Sequence, residues 1–433
     1  MTFAMPTNAP DLEKIVACRI CGSDRLSPCL DLGLQPFANS LLPSIDAMDA
    51  KYELALTFCE HCGMVQLTAT ADPSKLFSHY LWVTGTSSTS RQQADVFCTD
   101  ALALFGDQAE PRWVCEVASN DGTYLRPFRT RGLQILGVDA AANVVELAIT
   151  SEIPTQCAFF DKTVAQDLRR ERGPADIVIA RNVLAHVPDP LGFVGAISEL
   201  VAEDGIAVIE FHYGRKVLEG LQYDSIYHEH LFYITALGVE TLLQRNGLEV
   251  IEFAESPTSG GALIVYAQRA GGRRKVRDSV ARYRAAERSA GINDLETWKK
   301  FGRDVYLHKK QFIACLDSEL AAGHRVVGYG ASARSSTMLN FCGIKRRQLP
   351  EIADKSRVKW GLYTAGSHIP IRSPEEVLGR RPDAILLLAW NFQDEVLADL
   401  EKRYGFKGRV ILPLPNTPLV VTINSMEAKS ALS

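Results

Sequence analysis

The stretch RWVCEVASNDGTYL, residues 112–125, decides how this chain is read. Its first half is a short apolar run that reads as a buried strand. Its second half is polar, holds one glycine and leads into a helix. A strand that ends in a tight turn before a helix is a general cofactor cradle, because the backbone N–H groups at a helix start have no partner within the helix. The turn lacks the G-x-G-x-x-G pattern, so no second glycine lets a pyrophosphate rest against the backbone. It keeps Glu116 on the strand and Asn120 and Asp121 in the loop. The next apolar run, LQILGVDA (133–140), ends on Asp139. That position lies about twenty residues on, where a carboxylate can accept hydrogen bonds from both ribose hydroxyls. A ligand with a ribose, a cationic amino-acid tail and no phosphate suits this set, with Glu116, Asn120 and Asp121 facing its amino-acid and sulfonium end. S-adenosylmethionine is that molecule; a nucleotide site and a plain structural turn are the other readings of the same spacing.

Strands and helices alternate on the C-terminal side of this turn. ANVVELAIT (142–150) reads as a helix, ADIVIARNVLAHV (175–187) opens as a strand, FVGAISELVAEDG (193–205) is helical and IAVIEF (206–211) is a strand. One more helix and two strands are expected over 240–268. The series predicts a parallel sheet with helices on both faces. Residues 272–320 are charged and helical in period with sparse apolar positions, which predicts a surface or bridging segment. A second α/β unit opens at RVVGYGASARSSTML (325–339) and continues through DAILLLAW (383–390) and GRVILPLP (408–415). The expected organisation is a small lobe over 1–85, a first α/β domain over 86–270, a helical connector over 271–320 and a second, Rossmann-like domain over 321–433.

The first lobe is loop-rich, and it carries CRIC and CEHC, each followed by glycine. Cys18, Cys21, Cys59 and Cys62 supply four thiolates, a closed tetrahedral shell for one structural zinc ion. Such a site stands in for the core that a small lobe cannot build. A redox pair is the weaker reading, since it needs no second knuckle. The chain has 433 residues, 46% hydrophobic and 23% charged, with a net charge of −4. That balance argues against a nucleic-acid or anionic-membrane surface covering the protein. No apolar run reaches the roughly 18–20 residues of a membrane span, and the N-terminus does not read as a secretory signal. A cytoplasmic protein, monomeric or a small homo-oligomer, is expected.

One stretch, DSIYHEHLFYIT (224–235), crowds five proton-holding side chains together: Tyr227, His228, Glu229, His230 and Tyr233. Taken with CRICG, CEHCG, EVASNDGTYL, RNVLAHVPD (181–189), IYHEHLFY (226–233) and DKSRVKWGLYTAGSHIPI (354–371), in that order, it gives the chain its likeness. The sequence resembles the sugar C-methyltransferases of branched deoxysugar biosynthesis over roughly residues 15–420. The resemblance implies an α/β architecture: an N-terminal zinc lobe, a class I, Rossmann-like, S-adenosylmethionine-dependent methyltransferase core, and a second Rossmann-like domain. It implies a nucleotide-linked keto-deoxysugar as acceptor. It places the general base on His230, with Tyr227 and Glu229 assisting, His186 of AHVPD close by, and Tyr80 of SHYLWVTGTS entering from the end of the zinc lobe. It matches Glu116, Asn120, Asp121, Asp139 and Asn182 to the cofactor site and Phe160 of CAFFDK to a cover for the adenine.

These residue types suit the chemistry. A carbon beside a carbonyl loses its proton only to a base, and histidine titrates near neutrality. A tyrosine hydroxyl or imidazole N–H can hold the enolate oxygen. The departures fall on the acceptor side: SGGALIV (259–265) replaces H-G-G-S-L-R, GASARSST (330–337) puts Arg334 where the family has lysine, and Ala365 replaces a proline. The acceptor is therefore a sugar nucleotide, usual or unusual, or a carbonyl compound that is not a sugar. O- or N-methylation with the same cofactor, and a non-catalytic zinc- and nucleotide-binding scaffold, are the competing readings.

Overall fold

The computed structural model describes residues 12–77, 80, 82–105 and 111–423. The turn at 118–122 sits at the middle of a seven-stranded sheet. Its strand order is Leu248–Ser256, Ala262–Arg269, Val201–His212, Ala175–Arg181, Trp113–Val117, Gln134–Asp139, Thr155–Cys157. The last five run parallel, whereas Ala262–Arg269 is antiparallel to both of its neighbours. This is the class I, Rossmann-like order that the resemblance implied, with one antiparallel strand that the expected parallel sheet did not include. All five residues of Trp113–Val117 are buried, as a strand covered on both faces requires.

Strand order reverses between Trp113–Val117 and Ala175–Arg181, and the crevice at a reversal is where open α/β sheets bind ligands. Both strands end there on left-handed, non-glycine residues: Ala118 and Asn120 at φ 54° and 53° after the first, Asn182 at φ 51° after the second. Backbone of this kind concentrates at functional sites. The helix expected over 193–205 ends at Leu200, and residues 201–205 already belong to the next strand. Val201 pairs with Ala175 and is fully buried, so sheet pairing overrides the helical pattern there.

A second sheet has four strands, ordered Phe232–Tyr233, Val65–Leu67, Tyr52–Cys59, Leu26–Gln35. The cysteine-rich lobe thus takes in two residues from the middle of the chain, separated from YHEH only by Leu231, with Phe232 opposite Gln66 and Tyr233 opposite Val65. The third main sheet has five parallel strands and a final antiparallel one, Leu419–Ile423. Its helix Ala333–Cys342 starts with a capping box between Ser332 and Ser335.

The charged segment forms helices Asp278–Ser289 and Leu295–Ala321. The second departs from a solvated bridge: it buries Trp298, Phe301, Val305, Phe312 and Leu316, a stripe at helical spacing, and lies so close to the Leu26–Gln35 strand that a Cβ on Gly302 would meet Cys29 O at 2.4 Å.

Beneath the cofactor crevice, Arg181 and Glu210 form a buried pair at 2.6 Å. The Thr258 hydroxyl donates to the other Glu210 oxygen at 2.5 Å, and the guanidinium lies 3.0 Å from the Tyr124 ring centroid. Glu210→Ala would strand a buried cation, so denaturant melts are expected to show a loss of about 3–5 kcal/mol.

Candidate active site

The four knuckle sulfurs converge. Cys18, Cys21, Cys59 and Cys62 place their Sγ atoms within 4.8 Å of one another, with Cys18–Cys62 at 3.6 Å and Cys21–Cys59 at 3.5 Å. Zinc–sulfur bonds of about 2.3 Å in a tetrahedron require sulfurs about 3.8 Å apart, so the donor set fits zinc. Gly22 and Gly63 adopt φ 75° and 74°, and their N–H groups close the two knuckles onto Cys18 O and Cys59 O. Arg19, inside the first knuckle, donates to Gln66 Oε1 and Leu67 O and reaches Leu231 O at 3.5 Å, one residue past His230.

At the cofactor turn, Glu116 is buried and its Oε2 has no hydrogen-bond partner among the described residues. Burial pushes its carboxyl up to about 8, with Asp121, Asp139 and Glu210 raising it further against the pull of Arg181. Asp139 is also raised by burial, and it accepts N–H bonds from Asn120 at 2.8 Å and Ala141 at 2.9 Å. Several acids facing one arginine leave a pocket that favours a cation, which suits a sulfonium and an ammonium. Asn120 and Asp121 have another task as well. Asn120 Oδ1 accepts from Thr84 N–H and its Nδ2 donates to Trp82 O, while Asp121 Oδ2 accepts from Gly85 N–H. Both side chains hold the 82–85 segment across the turn. Asn182 is exposed at its strand end. Phe160 is half-buried and stands edge-on to Phe193 at 5.9 Å, just past strand Thr155–Cys157.

In the YHEH loop, His230 Nδ1 faces Ser225 O at 2.7 Å and therefore carries the proton. Its Nε2 then accepts from the Tyr227 hydroxyl at 2.8 Å. Burial, helped by Arg334 and two neighbouring imidazoles, holds His230 well below its ordinary value, so the ring is neutral. The His186 ring lies 4.9 Å away, donates Nδ1–H to Glu229 O at 2.7 Å, and is pushed down to about 4 by burial. Burial raises the Tyr227 and Tyr80 phenols above their ordinary range, leaving both as neutral donors. Tyr80 joins the two halves: its backbone N–H and C=O pair with the Asn143 side chain at 3.0 and 2.8 Å, and its ring lies 6.2 Å from Phe77, which stands edge-on to His186 at 5.3 Å. Glu229 does not touch His230: its carboxylate accepts from Asn39 in the zinc lobe, and Ser225 rather than Glu229 orients the imidazole.

Residues 18–77 match the family model of a zinc binding domain, 90–253 a methyltransferase domain and 257–415 the C-methyltransferase C-terminal domain. C-methyltransferase NovU of Streptomyces niveus is 31% identical over 420 residues, covering 96% of this chain and 99% of that relative. The chain belongs to the C-methyltransferase family. Among solved structures, magnesium protoporphyrin IX methyltransferase ChlM of Synechocystis PCC 6803 is 17% identical and aligns with 42% of this chain and 79% of its own, at a TM-score of 0.32. The CcbJ methyltransferase of Streptomyces caelestis is 11% identical over 46% of this chain and 100% of its own, at a TM-score of 0.35.

This C-methyltransferase transfers a methyl group from S-adenosylmethionine, and its four-cysteine lobe is of the zinc-binding kind. The structure brings His186, Tyr227 and His230 together, with Tyr80 linked to them through Phe77, and adds further residues from the C-terminal part of the chain. Arg334 Nη2 lies 3.3 Å from His212 Nε2, and its Nη1 lies 3.6 Å from Asp224 Oδ2. The Trp390 indole donates to that same Asp224 oxygen at 2.7 Å, and His212 Nε2–H donates to Gln222 Oε1 at 2.8 Å. The C-terminal unit thus brings Arg334 and Trp390 onto Asp224, six residues before His230. The GASARSST departure was the signal that marked Arg334. Asn39 left no signal, since it lies 190 residues from its partner.

Asp139 offers a direct test of the cofactor side. Asp139→Asn removes the charge that two ribose hydroxyls would share, and charged hydrogen bonds contribute about 1.5–3 kcal/mol. Calorimetric titration with S-adenosylmethionine is expected to give a Kd raised about 10- to 100-fold.

Proposed function

We propose that the enzyme removes a proton from a carbon next to a carbonyl and methylates the resulting enolate, on a nucleotide-linked keto-deoxysugar. The observation that carries this reading is the His230–Tyr227 pair: a neutral imidazole whose Nε2 lone pair is engaged, among the described residues, only by a phenol that can turn away. When a carbonyl enters, the Tyr227 hydroxyl rotates to donate to its oxygen, and Nε2 is released to take the adjacent C–H proton. Tyr80 adds a second neutral donor to the same oxygen. His230 is a weak base in isolation, but the charge it gains forms next to the negative charge that develops on the enolate, so the two stabilise each other in a site with little water. Ser225 O holds the imidazolium through Nδ1–H.

Bound S-adenosylmethionine supplies an electrophilic methyl on a sulfonium. Glu116 and Asp139 would hold its amino-acid end and its ribose, Phe160 would cover the adenine, and Asn120, Asp121 and Asn182 would line the turn. Positioning is then the main contribution of the protein. The sugar-nucleotide part of the reading is supported by the third sheet. Its strand order reverses between Val326–Tyr329 and Ala384–Leu387, and Arg334 and Lys359 stand near the carboxyl end of that reversal. We place the reaction in the cytoplasm, consistent with ten cysteines of which none is in a disulfide; no helix among the described residues is long and apolar enough to cross a membrane.

Incubation with S-adenosylmethionine and a nucleotide-linked 4-keto-6-deoxyhexose tests the reading. The expected product carries one new methyl bonded to a ring carbon beside the carbonyl, identified by NMR. A methyl on oxygen, or transfer only to a non-sugar ketone, would overturn it.

A further inference from the structure

The loop that carries His230 is fastened to the zinc lobe by contacts that the reaction does not use. Asn39 lies between strands Leu26–Gln35 and Tyr52–Cys59 of that lobe. Its Nδ2 amide donates to both Glu229 oxygens, at 2.7 and 2.9 Å. One residue earlier, His228 Nε2 donates to Glu53 O at 3.2 Å, and its ring stands edge-on to Phe37 at 5.1 Å. Two successive side chains of the loop are thus gripped by the zinc lobe, while His230 bonds within its own loop, to Ser225 and Tyr227.

We propose that Asn39 is a positioning residue of the reaction: its amide holds the Glu229 carboxylate by both oxygens, so the zinc lobe aims the loop that carries the base. This rests on the proposed role of His230. Glu229 is buried, and a buried carboxylate persists only if hydrogen-bonded. Burial pushes its carboxyl up to about 7, and the Asn39 bonds pull against that rise. Among the described residues, the titratable groups that act on it are the Tyr80 and Tyr227 phenols, both kept neutral. No cation among the described residues acts on Glu229, so the amide is the donor that opposes the cost of burial. Charge-assisted bonds of this kind are strong and directional.

Infrared difference spectroscopy of the zinc-loaded full chain, titrated across neutral pH, reads the carboxyl directly. The wild type is expected to show a band that titrates near neutrality and vanishes in Glu229→Gln. Asn39→Ala should move its midpoint up by roughly one pH unit, a tenfold gain in proton affinity. Asn39→Asp, close to isosteric, should move it further up by placing a second carboxylate against the first. Zinc content and S-adenosylmethionine affinity should stay at wild-type values. With a nucleotide-linked 4-keto-6-deoxyhexose, kcat should fall with little change in KM, and the acid limb of kcat/KM should follow the shifted midpoint. An unmoved band in either folded variant overturns the proposal. Wild-type turnover in His230→Ala would instead overturn the base assignment, and the two failures are separable because the band is read without an acceptor.

Discussion

His230→Ala is expected to lower kcat by roughly 10³-fold while leaving S-adenosylmethionine affinity within twofold of the wild type, since a positioned general base contributes about 10²- to 10⁴-fold. The variant removes the one side chain whose free nitrogen would face the reacting carbon, and it leaves the cofactor turn, on a different strand end, intact. Tyr227→Phe should cost less, because Tyr80 still donates to the enolate oxygen. The pH profile separates the roles. His230 is held well below its usual range by burial and nearby positive charge, so it stays unprotonated through the working range and sets no limb near its ordinary value. Glu229, pushed up to about 7, is ionised above that pH and protonated below it. The expected profile of kcat/KM therefore falls as the pH drops through about 7, the point at which Asn39 loses a charged partner. A limb that persists unchanged in Glu229→Gln would contradict this assignment.

Removing the metal is the second large effect. Cys59 is fully buried and lies on the strand Tyr52–Cys59 that spans the lobe sheet. Four uncompensated thiols replace a closed shell after chelation, Cys59→Ser breaks the same shell, and structural zinc contributes about 10 kcal/mol or more to the folding of small domains. Phe232 and Tyr233 pair with Val65–Leu67, and Arg19 reaches past the knuckle to Leu231 O, so the loop should lose its support when the lobe loosens. The expected result is metal-free protein that proteases cut within residues 12–77 and whose turnover is below about 1% of the wild type. It should still bind S-adenosylmethionine, because Glu116 and Asp139 belong to another sheet. Full turnover in metal-free protein would show that the lobe is a passenger.

Much of this architecture is legible in local pattern. A five-residue buried strand before a polar turn, and an acid at the next strand end, are local signals, and they place the proposed cofactor crevice at the reversal of the sheet. Two matched C-x-x-C-G knuckles announce their sulfur shell because a knuckle is itself local. What the sequence hides is long-range. Nothing near Phe232 says that it joins a sheet built from residues 26–67, and nothing near Asn39 points to Glu229. The long helix looks like a surface or bridging segment because its apolar stripe is thin, yet Trp298, Phe301 and Phe312 are buried and Gly302 lies against the distant Cys29 backbone. The partners in YHEH are equally hidden: the resemblance implies that Glu229 assists His230, and in the structure the Glu229 carboxylate bonds Asn39 while the His230 Nδ1 bonds the Ser225 carbonyl.

The most direct measurement is deuterium exchange in heavy water with S-adenosylhomocysteine in place of the methyl donor and a nucleotide-linked 4-keto-6-deoxyhexose as acceptor. Methyl transfer is then impossible, and proton removal is seen alone. The wild type should exchange one hydrogen on a carbon beside the carbonyl, followed by NMR, and His230→Ala should not exchange it above the enzyme-free rate. Equal exchange in the two proteins, or methylated product formed by a wild type that never exchanges, would contradict His230 as the base.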